Sequence, residues 1–348
     1  MNHALRKAGT SLSDRPAVLV TGGAGYIGSV VSRLLLDEGH QVTVLDDLST
    51  GHADAVAAGA SFVEADITTA GDVLGAAAFD GVVHLAAKSL VGQSMVEPSL
   101  YWHNNVGGTR ELLDAVTKHG VPRFVFSSTA AVYGEPDEVP IRETSTTRPT
   151  NTYGATKLAV DLMLRDEAAA HGLGAISLRY FNVAGAARGA GERHATETHL
   201  IPIALDVAAG VRPALDIFGT DWPTPDGTCI RDYVHVEDLA RAHLLALIAS
   251  QPGTHVVCNL GNGGGYSVRE VVDTVRAVTG LPVPTNEIGR RAGDPAQLIA
   301  SYERATEHLG WTPEADLPRI VTDAWNFHRG QNLDHKQNLN RAHTERPQ

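Results

Sequence analysis

Residues 20–29, VTGGAGYIGS, stand between a short apolar run, AVLVTG, and a segment in which Ile27, Val30, Val31, Leu34 and Leu35 recur at helical spacing before a stop at Gly39. A strand, a glycine-rich turn and a helix in that order form the setting a dinucleotide-binding loop requires. Gly23, Gly25 and Gly28 fit GxGxxG, and Gly22, Gly25 and Gly28 fit the related GxxGxxG. Glycine lets the chain turn tightly and approach a pyrophosphate, whose charge the free amides and the dipole of the helix start then favour. A glycine-rich turn with no ligand is the competing reading of this stretch alone.

The same rhythm continues outward. QVTVLD, SFVEAD, GVVHLAA, RFVFSS and AISLRYFN read as further strands, separated by helical stretches around Val73 to Ala78, Tyr101 to His119 and Tyr153 to His171. Strands without polar alternation, each followed by a helix, predict a parallel sheet covered on both faces. The expected fold is α/β: a Rossmann-like doubly wound parallel sheet with a smaller, interleaved C-terminal substrate lobe. Residues 16–185 form the NAD-binding domain in this reading, a segment at about 230–262 returns to it, and 186–330 are mainly substrate lobe. Residues 1–15 and 331–348 read as flexible tails.

Composition excludes several function classes. The 348 residues suffice for one large α/β domain with an appendage, and a formal charge of −12 speaks against a nucleic-acid surface or an anionic membrane surface. Cys229 and Cys258 are the two cysteines, without a CxxC pair, so neither a disulfide framework nor a thiolate zinc site is indicated. Among 16 histidines, His194 and His199 alone resemble a ligand pair, and no HExxH spacing supports them, so the expectation is no metal. No apolar run of membrane-spanning length and no export signal is apparent, which predicts a cytoplasmic protein.

Asp46 ends the second strand, where a carboxylate accepts hydrogen bonds from a ribose diol and repels a 2′-phosphate; the implied cofactor is NAD. Asp66 ends the third strand, near the adenine by the same topology or else a helix N-cap. Further on, NTYGATKLAV, Asn151 to Val160, sets Tyr153 and Lys157 four apart on one helix face. A tyrosine titrates near about 10 and is a poor base at neutral pH. A nearby cation, together with a positive nicotinamide ring, would stabilise tyrosinate and lower that value. Ser127, Ser128 and Thr129 end another strand, at the carboxyl edge where doubly wound sheets bind ligands.

Glycine loop, acidic strand end, hydroxyl strand end and YxxxK in this order resemble the extended short-chain dehydrogenase/reductase family. The phrases HNNVGGT, FSSTAAVYGE, YGATKLAVD, LRYFNVAGA, IFGTDWPTPDGTCIRDYVHVEDLA, NLGNGGGYSV and RRAGDPA are most similar to its UDP-glucose/UDP-galactose 4-epimerase branch. The resemblance covers roughly Val18 to Arg329. It implies tightly held NAD, with Tyr153 removing the O4 proton, Lys157 binding the nicotinamide ribose and Thr129 hydrogen-bonding O4 or the tyrosine. It assigns Gly22, Gly25, Tyr26, Ile27, Gly28, Asp46, Asp66, Ile67, Leu85, Ala86, Ala87, Lys88, Asn104 and Phe181 to the cofactor. Asn182, His199, Ile217, Phe218, Arg231, Arg291, Asp294 and Leu298 fall on the UDP-sugar side. Some members carry a lysine where Ser89 stands, one place after Lys88, and asparagine where His199 stands. Leu298 matches a position that limits room at the sugar C2 substituent and is tyrosine in some relatives, which implies partial acceptance of N-acetylated sugars.

Three rival readings exist. A 4,6-dehydratase needs Asp-Glu directly after the strand-end threonine, whereas Ala130 and Ala131 follow Thr129, and methyl groups cannot transfer protons. Epimerases of pentose or uronic acid substrates fit the same motifs, and a non-catalytic NAD-binding module fits the fold alone. Relatives pair through two helices per subunit, which implies a homodimer built on the helices around Tyr101 to His119 and Tyr153 to His171.

Overall fold

The structure, a computed structural model, describes residues 15–291 and 293–344, with side chains described as far as Gln331. Most of the expected N-terminal tail, and residues 345–348 of the C-terminal one, lie outside the described residues. Strands β1 (Ala17–Thr21), β2 (Gln41–Asp46), β3 (Ser61–Glu64), β4 (Gly81–His84), β5 (Arg123–Thr129) and β6 (Gly174–Tyr180) join the strand His255–Leu260 in one seven-stranded sheet. From the His255–Leu260 edge, the order is β6, β5, β4, β1, β2, β3, and every pair is parallel. The chain winds out from β1 to β3, then crosses back to β4 beside β1. That reversal opens a crevice at the strands' carboxyl ends.

Alternate residues of each strand serve opposite faces. Val18 and Val20 join Val30, Val31 and Leu34 of helix α1 (Tyr26–Asp37) and Leu239 and Leu247 of the helix Val236–Ala249 in one core. Leu19 and Leu45 join Leu112, Val116, Val160 and Leu164 in the other. This two-sided burial explains why the strand sequences lack polar alternation.

A smaller lobe has its own core, built by Ile201, Leu205, Val271, Val275 and Ile320. Its strands are short: Leu215–Phe218 pairs with Thr285–Ile288, and Ile230–Arg231 lies between Tyr266–Ser267 and Gln297–Leu298. Between Ile230–Arg231 and Tyr266–Ser267 the chain re-enters the main sheet through His255–Leu260, which pairs with β6 over its whole length.

Two local readings need correction. The stretch Tyr101 to His119 is not one regular helix: Trp102–Gly108 is a π-helical segment leading into the α-helix Thr109–Lys118. Gly108 is pressed against Ile67, whose Cγ2 would lie 2.8 Å from an added Cβ, and Asn104 and Asn105 of the widened turn reach the loop after β4. At the C-terminus, the helix Leu317–Thr344 continues past Gly330, where a polar, aperiodic tail is expected. Helical main-chain bonding requires no apolar periodicity, so that signal missed it.

Candidate active site

Helix α1 has Gly25 at its N-cap, no side chain capping its first amides and no acidic residue in its first turn. Its start therefore offers unsatisfied N–H groups to an anion. Two glycines enforce the close approach. Gly22 takes φ of 75°, and an added Cβ would lie 2.6 Å from the Ala86 nitrogen; a Cβ on Gly28 would lie 2.1 Å from the Gly22 carbonyl oxygen. Among the described residues the one neighbour of such a Cβ on Gly25 within 4 Å would be the Gly22 oxygen at 3.3 Å, which leaves that face of the loop open.

Asp46 lies beside this cradle, nearly buried, with one carboxylate oxygen accepting from the Ala24 N–H at 3.0 Å and the other from Leu48 at 2.9 Å. Burial raises its pKa, against those two amides. The carboxylate thus ties the phosphate loop to the loop after β2 and keeps lone pairs for a ribose. Asp66 is the N-cap of the short 3-10 turn Ile67–Thr69, accepting from the Thr68 amide and hydroxyl, as its alternative reading expects. After β4, the Lys88 amide donates to both Asn104 and Asn105, and its ammonium reaches the Ser49 hydroxyl at 2.9 Å. Asn105 is buried and also donates to the Lys88 carbonyl and to Thr156, so it is a loop fastener. The open glycine cradle, the uncapped helix start and the acidic strand end together fit a dinucleotide.

Tyr153 enters on the helix Thr152–His171, capped by Asn151 through the Gly154 amide, and its own amide is held by the Ser94 hydroxyl at 3.1 Å. Its hydroxyl meets that of Thr129, the last residue of β5, which also caps the following turn through the Ala131 amide at 3.2 Å. Lys157 is 2% exposed; its ammonium donates to the Ser127 carbonyl at 2.8 Å and lies 5.9 Å from the Tyr153 ring centre. The three strand-end hydroxyls thus divide their work. Thr129 faces Tyr153, Ser128 donates to Asp161 at 3.2 Å, and Ser127 accepts from Tyr180.

The electrostatics correct one expectation. Burial pushes Tyr153 up to about 12, only partly opposed by the Thr129 hydrogen bond, and pulls Lys157 down to about 7, with Asp161 opposing. In the chain alone the phenol is therefore a weaker acid than usual. Desolvation of the anion outweighs the Thr129 hydrogen bond, and the nearby amine bonds to a carbonyl rather than to the phenol.

On the substrate-lobe side, Arg231 pairs in register with Leu298 and donates to the Ile230 and Pro295 carbonyls, with Asp294 at 3.7 Å. The Arg291 guanidinium stacks 4.2 Å from the Phe218 ring centre. Asn182 aligns with Tyr233 on neighbouring strands, while Phe181 packs with Tyr133, Ile141 and the Leu298 side chain. Ile217 is 2% exposed and turns into the lobe. His199 does not share these contacts. Its Nδ1 faces Glu192 and Glu197, beside His194.

The motif reading passed over Asp161. It forms a buried ion pair with Arg179 at 2.8 Å behind Lys157, and the signal was present, since Tyr153, Lys157 and Asp161 repeat every fourth residue. Asp232, which gathers the amides of Asn262, Gly263 and Ala300 from distant segments, had no local signal.

Comparison with known proteins adds the relatives. A profile of the NAD dependent epimerase/dehydratase family matches residues 18–261. Over 312 residues, 89% of this chain and 95% of the relative, the sequence is 57% identical to a UDP-glucose 4-epimerase of Corynebacterium glutamicum. A UDP-glucose 4-epimerase of Streptomyces lividans is 58% identical over 315 residues, 89% of this chain and 95% of that protein. The crystal structure of a UDP-glucose 4-epimerase from Brucella ovis in complex with NAD is similar with a TM-score of 0.86 at 45% identity, covering 89% of this chain and 98% of that one.

Proposed function

The chain belongs to the NAD dependent epimerase/dehydratase family, and on that premise we propose that it interconverts UDP-glucose and UDP-galactose, inverting the sugar at C4 with a resident NAD. The observation that carries this reading is the pairing of the half-buried Tyr153 hydroxyl with Thr129 at the carboxyl edge of the sheet, one helical turn from buried Lys157, whose ammonium is held by the Ser127 carbonyl.

Bound NAD supplies reversible hydride chemistry at the sugar carbon. The glycine loop would hold its pyrophosphate and Asp46 its adenosine ribose, with Ile67, Leu85, Ala86, Ala87 and Asn104 lining its course. The chain's own task is the proton. Tyr153 takes it from O4 as the alcohol becomes a ketone and returns it when the alcohol re-forms, while Thr129 holds O4 and the phenol in line. Tyr153 begins with a raised pKa, so the positive charge of the bound cofactor and Lys157 must act together to make it a base. Arg231 and Arg291 supply donors for the diphosphate.

The decisive assay mixes purified protein with UDP-galactose, adds no cofactor and follows UDP-glucose by chromatography. An equilibrium mixture is expected. Failure to convert even after addition of NAD⁺ would overturn the assignment in favour of another UDP-sugar or a binding module. Leu298 in place of a bulkier residue leaves room at C2, so slower but measurable turnover of UDP-GalNAc is also expected. The reading carries with it a cytoplasmic homodimer; among the described residues no helix is long and apolar enough to cross a membrane.

A further inference from the structure

Between the strand Asn182–Ala184 and the helix Leu200–Ala208, the chain passes through GERHATETH, residues 191–199. The fold draws four of its side chains onto one point. Glu192, His194, Glu197 and His199 each present one ligand atom, and all four atoms lie within 4.8 Å of one another. His199 Nδ1 is 2.6 Å from Glu192 Oε1 and 2.8 Å from Glu197 Oε1, and His194 Nδ1 is 2.9 Å from the same Glu192 oxygen. The two carboxylates are largely withdrawn from solvent, with side chains 8% and 12% exposed. The guanidinium of Arg193, within the same loop, bonds both oxygens of Asp54, at 2.7 and 2.9 Å. Two half-buried carboxylates and two imidazoles thus converge as a mixed set of two oxygen and two nitrogen donors around one point.

We infer that Glu192, His194, Glu197 and His199 form a binding site for one zinc-class divalent ion. Two imidazole nitrogens and two carboxylate oxygens suit zinc, whereas magnesium and calcium prefer all-oxygen shells. Four protein ligands leave no open position, so the ion's task is structural. Its place indicates what it would secure. The same loop is fastened towards the phosphate cradle by the Tyr26 hydroxyl on the Gly185 carbonyl at 2.6 Å and by His52 Nε2 on the Arg193 carbonyl at 3.0 Å. An ion joining Glu192 to His199 would lock the outer half of this loop over the start of helix α1. His199 is thereby assigned to the metal rather than to the sugar.

The test treats the full-length protein with EDTA, removes the chelator, adds excess zinc, desalts and measures retained metal by atomic emission. About one zinc per chain is expected, with a melting temperature raised on the order of 5 °C over the stripped protein. His194→Gln and Glu192→Gln should each lower zinc affinity by at least the roughly 10–100-fold that losing even a supporting contact costs a metal site. The stripped variants should match the stripped wild type in circular dichroism and melting, which separates loss of metal from loss of fold. Zinc retained equally by wild type and both variants, or by neither, would overturn the site.

Discussion

Tyr153 sits where proton transfer and desolvation oppose each other. Its spacing from Lys157 suggests a phenol made acidic, yet burial, partly opposed by the Thr129 hydrogen bond, pushes it up to about 12. The two statements meet if the cofactor's positive charge completes the site, which makes the base conditional on a loaded enzyme. Tyr153→Phe should lower turnover by roughly 10²–10⁴-fold. The bound NAD, measured by release on denaturation, should be unchanged, because the glycine loop holds it. Thr129→Ala should have a smaller effect, since the phenol keeps its position on the helix Thr152–His171. Equal and complete losses in both variants would argue that the hydroxyl pair acts as one unit.

At the scale of elements, the turn before helix α1 is built by exclusion. Gly28→Ala would drive a methyl carbon to 2.1 Å from the Gly22 oxygen, so the loop must open. Loss of bound NAD and a destabilisation of about 1–3 kcal/mol, read from denaturant melts, are expected. The end of β4 carries a second device. His84 is buried between the Thr21 and Thr109 hydroxyls at 2.7 and 2.8 Å, and burial, aided by the Lys157 charge, pulls it down to about 3. An imidazole in the unfolded chain protonates below about 6.5. Between those values the unfolded state binds the extra proton, so stability falls as pH drops through that window and is intact above it. The melting temperature should decline from pH 6.5 towards pH 4, and His84→Asn should flatten that slope, whatever it does at pH 7.

For the whole molecule, the apolar surface left open is unevenly placed. Met95 and Val96, shortly before the π-helical segment, Trp102, its first residue, and Leu162, on the helix Thr152–His171, are exposed by 59%, 82%, 45% and 46%. Large apolar side chains gathered on neighbouring helices favour burial against a second copy. Light scattering at micromolar concentration should give a dimer mass; Leu162→Glu should shift it towards the monomer. A monomer for the unaltered protein would remove the homodimer from the proposal.

The strands themselves, the phosphate loop and the Tyr153–Lys157 spacing were legible in the sequence because each is written within a dozen residues: a buried strand needs an apolar run, a close backbone approach needs glycine, and one helix face needs a spacing of four. What joins distant segments was not. That Asp161 closes against Arg179 behind the amine, that Asp232 collects three amides from two distant segments, and that His199 meets Glu192 depend on how loops fold back. Burial too is a property of the assembled chain: the sequence brings a cation to a phenol, but only the packed interior decides that desolvation raises the phenol.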